Sequence, residues 1–279
     1  MRASARRRVS PAPGHVGALV AVALLLVVAA PARAAAAIDL DAETAVAAAE
    51  VRLVLAATNT GSEAARDLVP EVTWLDRRQR GEAVAVLPPR ARRPWDFSLP
   101  PPPAAGTFPL VLRLRYTDAD GRPAAALLVR TLGAADAGPV RAALAPAPIA
   151  TLGTVQLTLE NSEGRPLVGR VVAVLPPELA TDPESQPAQV PPGGHVALPL
   201  VVQNARAVVG RTYPMYAVFE YDWAGTHRTA LAAATLAVVQ APSRRALRLA
   251  VGATAWLAAL ATAVLLSRRA ARRAAPRRH

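Results

Sequence analysis

The sequence predicts an all-β protein, with two β-sandwich domains in tandem and one C-terminal transmembrane α-helix. Three observations predict it. A strand-length pattern recurs at an offset of 105 residues. The 27 prolines and the Asn/Gly clusters punctuate the chain about every ten residues, the turn spacing of a sandwich. The net charge of +12 lies entirely at the two ends, beside apolar segments.

The N-terminal 34 residues have the three parts of a secretory signal. Arg2, Arg6, Arg7 and Arg8 form a basic leader, residues 16–30 are apolar, and Ala32-Arg33-Ala34 offers small residues for cleavage after Ala34. An uncleaved anchor is the other reading, and it leaves the domains on the same side of the membrane. Residues 37–134 and 138–241 are then the two sandwiches, joined by a short linker at 133–139. Short apolar runs such as Val51-Arg52-Leu53-Val54-Leu55 and Val155-Gln156-Leu157-Thr158-Leu159 read as strands. Residues 42–50 fit either an amphipathic helix or the first strand.

The repeat is the main evidence for duplication. Phe108-Pro109 and Tyr116-Thr117-Asp118 return as Tyr213-Pro214 and Tyr221-Asp222. In the first copy Phe108, Leu110, Leu112, Leu114 and Tyr116 alternate with Pro109, Val111, Arg113 and Arg115. In the second, Tyr213, Met215, Ala217, Phe219 and Tyr221 alternate with Pro214, Tyr216, Val218 and Glu220. Period two sends the first set of each to the core and the other outward. A glycine precedes each copy (Gly106, Gly210). The turn at Asn59-Thr60-Gly61 matches Asn161-Ser162-Glu163-Gly164, and Pro88-Pro89 matches Pro191-Pro192.

This order of landmarks resembles the immunoglobulin-like modules of bacterial and archaeal surface proteins, of CARDB-like and NEW3-like type. The resemblance covers both repeats and rests on core and turn positions. It implies two tandem immunoglobulin-like β-sandwich domains and a surface location, and it implies no ligand. Pro89-Arg90-Ala91 stands where the pattern often has glycine.

At the C-terminal end, residues 249–266 carry no charge. As a helix they span about 27 Å, close to the hydrocarbon thickness of a bilayer. The predicted membrane helix covers 249–267 and the basic tail 268–279. Arg268, Arg269, Arg272 and Arg273 lead that tail and hold it in the cytoplasm. No LPxTG-like sorting motif precedes the helix, so anchoring is expected to be permanent. The chain is thus expected to be a single-pass protein of the cell membrane with its domains outside the cytoplasm.

Composition excludes several classes. Residues 34–247 hold 20 arginines and 20 acids, so the repeats lack the basic excess of a nucleic-acid binder. There is no cysteine and no lysine, which removes thiol chemistry, Cys-ligated metals and a phosphate-loop lysine. His195 and His227 read as isolated imidazoles at turns, without an acid or second ligand beside them. Asp118-Ala119-Asp120-Gly121 reads as a hairpin turn or as the start of an incomplete calcium loop. No catalytic residue, metal or cofactor is expected.

Candidate binding residues are few. Trp223 lies in the turn after a strand, as a buried plug or an exposed contact, and Tyr216 faces outward on that strand. Trp74 and Trp95 are expected in the core. Two basic runs, Arg77-Arg78-Gln79-Arg80 and Arg90-Ala91-Arg92-Arg93, are solvated loops or docking points for an anionic polysaccharide or lipid headgroup. The expected function is display of two interaction modules toward an unidentified envelope protein or polysaccharide. A carbohydrate-binding module and an accessory subunit of an envelope complex are the alternatives.

Overall fold

The computed structural model describes residues 37–47, 49–133 and 138–241. The signal segment, the membrane helix and the tail with Arg268, Arg269, Arg272 and Arg273 lie outside the described residues. Among those described there is no helix long and apolar enough to cross a membrane.

The strands in chain order are β1 (Ile38–Val46), β2 (Val51–Asn59), β3 (Ala65–Trp74), β4 (Arg77–Arg80), β5 (Val84–Leu87), β6 (Arg92–Leu99), β7 (Thr107–Thr117) and β8 (Pro123–Gly133), then β9 (Val140–Ala145), β10 (Leu152–Asn161), β11 (Leu167–Val174), β12 (Leu179–Thr181), β13 (Ser185–Val190), β14 (His195–Asn204), β15 (Thr212–Trp223) and β16 (Thr226–Ala237). In the first sandwich, β1-β2-β6 faces β4-β3-β7-β8, with β5 also on β3. In the second, β12-β14-β10-β9 faces β13-β11-β15-β16. The two sandwiches share one strand order: β1-β2-β6 corresponds to β9-β10-β14, and β3-β7-β8 to β11-β15-β16. That three-plus-three arrangement of antiparallel strands is the immunoglobulin-like one. Residues 42–46 extend β1 against β2 rather than forming a helix.

Alternation builds the two cores. Phe108, Leu110, Leu112 and Leu114 of β7 are buried with Leu53, Leu55, Val72 and Trp74. Met215, Ala217, Phe219 and Tyr221 of β15 are buried with Val155, Leu157, Leu159 and Val171. Each fully buried Leu or Val contributes about 1.5–3 kcal/mol. Trp74 and Trp95 are core residues, and each indole N–H finds a carbonyl, of Pro100 at 2.9 Å and of Glu82 at 2.8 Å.

The repeated asparagine is a structural staple. Asn59 is fully buried; its Nδ2 donates to the Glu63 and Leu87 carbonyls, and its Oδ1 accepts from the Gly61 N–H. Asn161 does the same with the Arg165, Val190 and Pro191 carbonyls and the Glu163 N–H. Each ties the end of its strand to the proline turn that follows. In the second copy that turn uses Gly193 at φ 55°; in the first, Arg90 takes the same left-handed conformation at φ 63°. A side chain there costs about 1–2 kcal/mol, so the glycine missing from the first copy is replaced at the expense of strain.

Candidate functional site at the sandwich junction

Both sandwiches belong to one compact unit, and the outward faces of β4-β3-β7-β8 and β13-β11-β15-β16 pack on each other. Leu127 and Val129 of β8, Val174 of β11 and Val218 of β15 form an apolar cluster of their own, with Val111, Val172, Tyr216 and Leu231 against it. Register aligns these residues: Val111 opposes Val129, and Val172 and Leu231 flank Val218. Val218 and Tyr216 do point away from their own core, as period two requires. They are nonetheless covered, because the first sandwich occupies that face. Tyr216 is therefore a junction residue and not a free ligand contact; its hydroxyl donates to the Leu127 carbonyl at 3.4 Å.

Polar groups frame the cluster. Arg211 Nη1 lies 3.2 Å from Asp118 Oδ2, and Asp118 is only 2 % exposed. The other Asp118 oxygen accepts the Asp120 and Arg122 N–H groups and closes the β7–β8 turn. The hairpin reading of this motif thus stands, with both carboxylate oxygens engaged by protein. Arg113 Nη2 donates to the Leu175 carbonyl at 3.3 Å. At the near corner the Thr229 N–H donates to Thr107 Oγ1 at 2.8 Å, and Thr229 Oγ1 donates to the Thr107 carbonyl at 2.7 Å. Gly106 bridges to His227 beside them. A Cβ on Gly106 would collide with the His227 carbonyl oxygen, which gives that glycine its reason.

His227 differs from the expectation of an isolated surface imidazole. Its ring stacks on Phe108 of the first sandwich at 4.7 Å between centroids, and its nitrogens lie 3.4 Å from Glu220 and Asp222. Those acids sit across the β15–β16 hairpin, two and no residues out of register with it, so only the strand pairing brings them near. His195 is exposed. Among the described residues no group of three or more His, Asp or Glu could hold a metal.

Among the described residues, Glu178 is the one acid buried at the junction with an oxygen lacking a partner. Burial raises its pKa above the ordinary value of 4.5, against the pull of a backbone N–H and of Arg206. Burial also pushes the nearby Tyr116 hydroxyl up to about 12. A carboxyl whose folded pKa is raised favours the fold below its ordinary value, and that contribution is lost as pH rises through the folded value. Glu178→Gln is accordingly expected to raise Tm at pH 8 and to lose this advantage below about pH 4, as differential scanning calorimetry across that range would show.

A groove of about 1240 Å³ runs beside the junction, with Thr107, Arg141, His195, Trp223 and Thr229 in its wall. Trp223 is half-buried: it packs on the edge of the second core, and Arg228 lies 5.3 Å from its ring centroid. The residue is both plug and groove wall. The two arginine runs are not brought together. Arg77, Arg78 and Arg80 are on β4, whereas Arg92 and Arg93 are on β6 of the opposite sheet, with Arg90 in the turn before it. Arg90, Arg92 and Arg93 are exposed, and Arg93 reaches Glu82 at 3.4 Å.

Residues that the sequence pattern did not single out are Glu71, Glu178, Arg113 and Arg115. Glu71 is buried on the outward face of β3 beneath Arg78, Arg80, Arg113 and Arg115. Arg113 and Arg115 were visible as an outward pair and Arg78 and Arg80 as part of a basic run, but their meeting depends on the order β4-β3-β7.

No family model and no curated protein matches the chain. Solved structures give weak resemblances only. The native conformation of Escherichia coli alpha-2-macroglobulin shares 11 % identity at a TM-score of 0.31, over 73 % of this chain and 17 % of that one. Red sea bream transglutaminase shares 13 % at 0.26, over 72 % and 31 %. A Porphyromonas gingivalis protein of unknown function shares 15 % at 0.27, over 72 % and 99 %. The chain thus spans about a sixth of the macroglobulin that it resembles.

Proposed function

We propose that this protein is a membrane-anchored, extracytoplasmic interaction arm, without enzymatic activity, that presents two immunoglobulin-like sandwiches as one stiff body. The observation that carries the reading is the apolar junction. Independent beads on a flexible linker would leave Val111, Val129, Val172 and Val218 in water, whereas here they are covered. A fused pair holds a binding face at a set distance and angle, which suits a spacer or an adaptor.

The location rests on the sequence. The charge excess flanks two apolar segments, and the cluster after residue 267 is the denser one. The CARDB-like and NEW3-like order of turns supports a surface role. The partner class in this reading is an envelope protein or polysaccharide.

The test is protease access. With a tag at the C-terminus, proteinase K added to spheroplasts is expected to digest residues 40–240 and leave a tagged membrane fragment. Recovery of the intact chain in the soluble cytosolic fraction overturns the proposal.

A further inference from the structure

The outward face of β4-β3-β7 holds more positive charge than it neutralises. The Glu71 side chain is 3 % exposed, and Arg78 Nε and Arg80 Nε each lie 3.3 Å from its oxygens. Arg113 Nη1 stands at 3.7 Å and Arg115 Nη2 at 4.0 Å. One carboxylate therefore faces four guanidinium groups. Residues 37–133 contain 12 arginines and 12 acids, so this surplus is a local polarisation of a neutral sandwich. Among the balancing acids, Asp39, Asp41 and Glu43 lie on β1, in the other sheet.

Register sets the shape of the array. Glu71 pairs with Arg80 on one side and Arg113 on the other, Arg78 pairs with Thr73, and Arg115 with Val69. These positions run diagonally across β4, β3 and β7, and all four guanidinium groups converge on Glu71, each with a nitrogen within 4.0 Å of its carboxylate.

The arginines are also poised differently. Arg78 and Arg80 approach Glu71 through Nε, and both side chains are more than half exposed. Arg113 is the anchored member: it is fixed to the Leu175 carbonyl of the second sandwich, and its Nε is buried without a partner. Burial and the charges of Arg78 and Arg115 lower its pKa against the pull of Glu71 and Glu178. Crowded like charges of this kind are relieved by a bound anion. Guanidinium forks match carboxylate and phosphodiester oxygens in two-point fashion.

We propose that this face binds an anionic polysaccharide whose charged groups take Arg78, Arg80 and Arg115, while Arg113 anchors the array and Glu71 competes with the ligand for it. The choice of a polysaccharide rests on the extracytoplasmic reading above. Chemistry on the face agrees with it: its outward residues Val69 and Thr73 offer no aromatic ring on which a nucleic-acid base could stack.

The test is binding of the purified full chain, in detergent, to polygalacturonate at low salt, with neutral dextran as reference. Wild type is expected to bind the acidic polymer and not dextran. The double variant Arg78→Gln/Arg80→Gln is expected to bind at least about tenfold more weakly, with a log-log salt slope shallower by about 2, one for each contact removed. Glu71→Gln is expected to bind more tightly, a sign that a purely structural ion-pair network would not give. Arg52→Gln/Arg165→Gln, exposed residues away from this face and from both arginine runs, is expected to leave affinity unchanged. The proposal is overturned if polygalacturonate does not bind, or if that control pair loses as much affinity. Tighter binding to phosphatidylglycerol vesicles or to single-stranded DNA than to the polymer overturns it too. These outcomes read affinity alone, so they are separable from the protease experiment, which reads location alone.

Discussion

Val218→Asp is expected to uncouple the two sandwiches at a cost of about 3–5 kcal/mol, the range for burying an unpaired charge. Val218 is 2 % exposed, flanked in its sheet by Val172 and Leu231, and packed in the cluster with Leu127 and Val129. Apart from Tyr216, the side chains of this cluster are aliphatic. The residues next to it, Ala217 and Phe219, point into the second core and keep their packing. The damage should therefore fall on the junction rather than on either sandwich. Urea unfolding, expected to be a single transition in the wild type, should divide into two, and small-angle X-ray scattering should show a larger radius of gyration. A single transition at an unchanged midpoint would show that the junction contributes little.

The second large effect is expected at the asparagine staple. Asn161→Ala removes the donor to three carbonyls and the acceptor for the Glu163 N–H in a site that is 3 % exposed. A buried group left without its partner costs about 1–3 kcal/mol, and two or more are stranded here, so the loss should be about 3 kcal/mol. For a body of about 200 residues this lowers Tm by about 6–12 °C. Asn161→Asp should recover little, because a carboxylate accepts the Glu163 N–H but cannot donate to the carbonyls. Asn59→Ala should come close to it, since the first staple makes the equivalent bonds one repeat earlier, with two carbonyls in place of three. If either asparagine proves silent by thermal unfolding, the staple is not what holds the proline turn.

The repeat was legible because its landmarks act locally. Phe108 and Tyr213 with their alternating neighbours state which side chains leave water, and the two asparagines state where a strand turns. The aromatic core residues Trp74 and Trp95 followed from the same periodicity. Candidate contacts were harder. Tyr216 looked free, and His227 looked isolated, because a strand pattern names an outward face without naming what lies on it. The arginine runs looked like neighbours in the sequence, yet β4 and β6 belong to opposite sheets. The cluster that does form draws Arg113 and Arg115 from β7, more than thirty residues away.

By itself the sequence determined the all-β class, the duplication, the in-or-out sense of β7 and β15 and the placement of surplus charge at the two ends. These depend on period-two alternation, turn residues and composition, all of which are properties of short segments. Tertiary structure alone decided that the two sandwiches share a buried face, that Glu178 is desolvated there, and that four arginines gather over Glu71. Those outcomes depend on which strand lies beside which, and that is set by contacts between residues far apart in the chain.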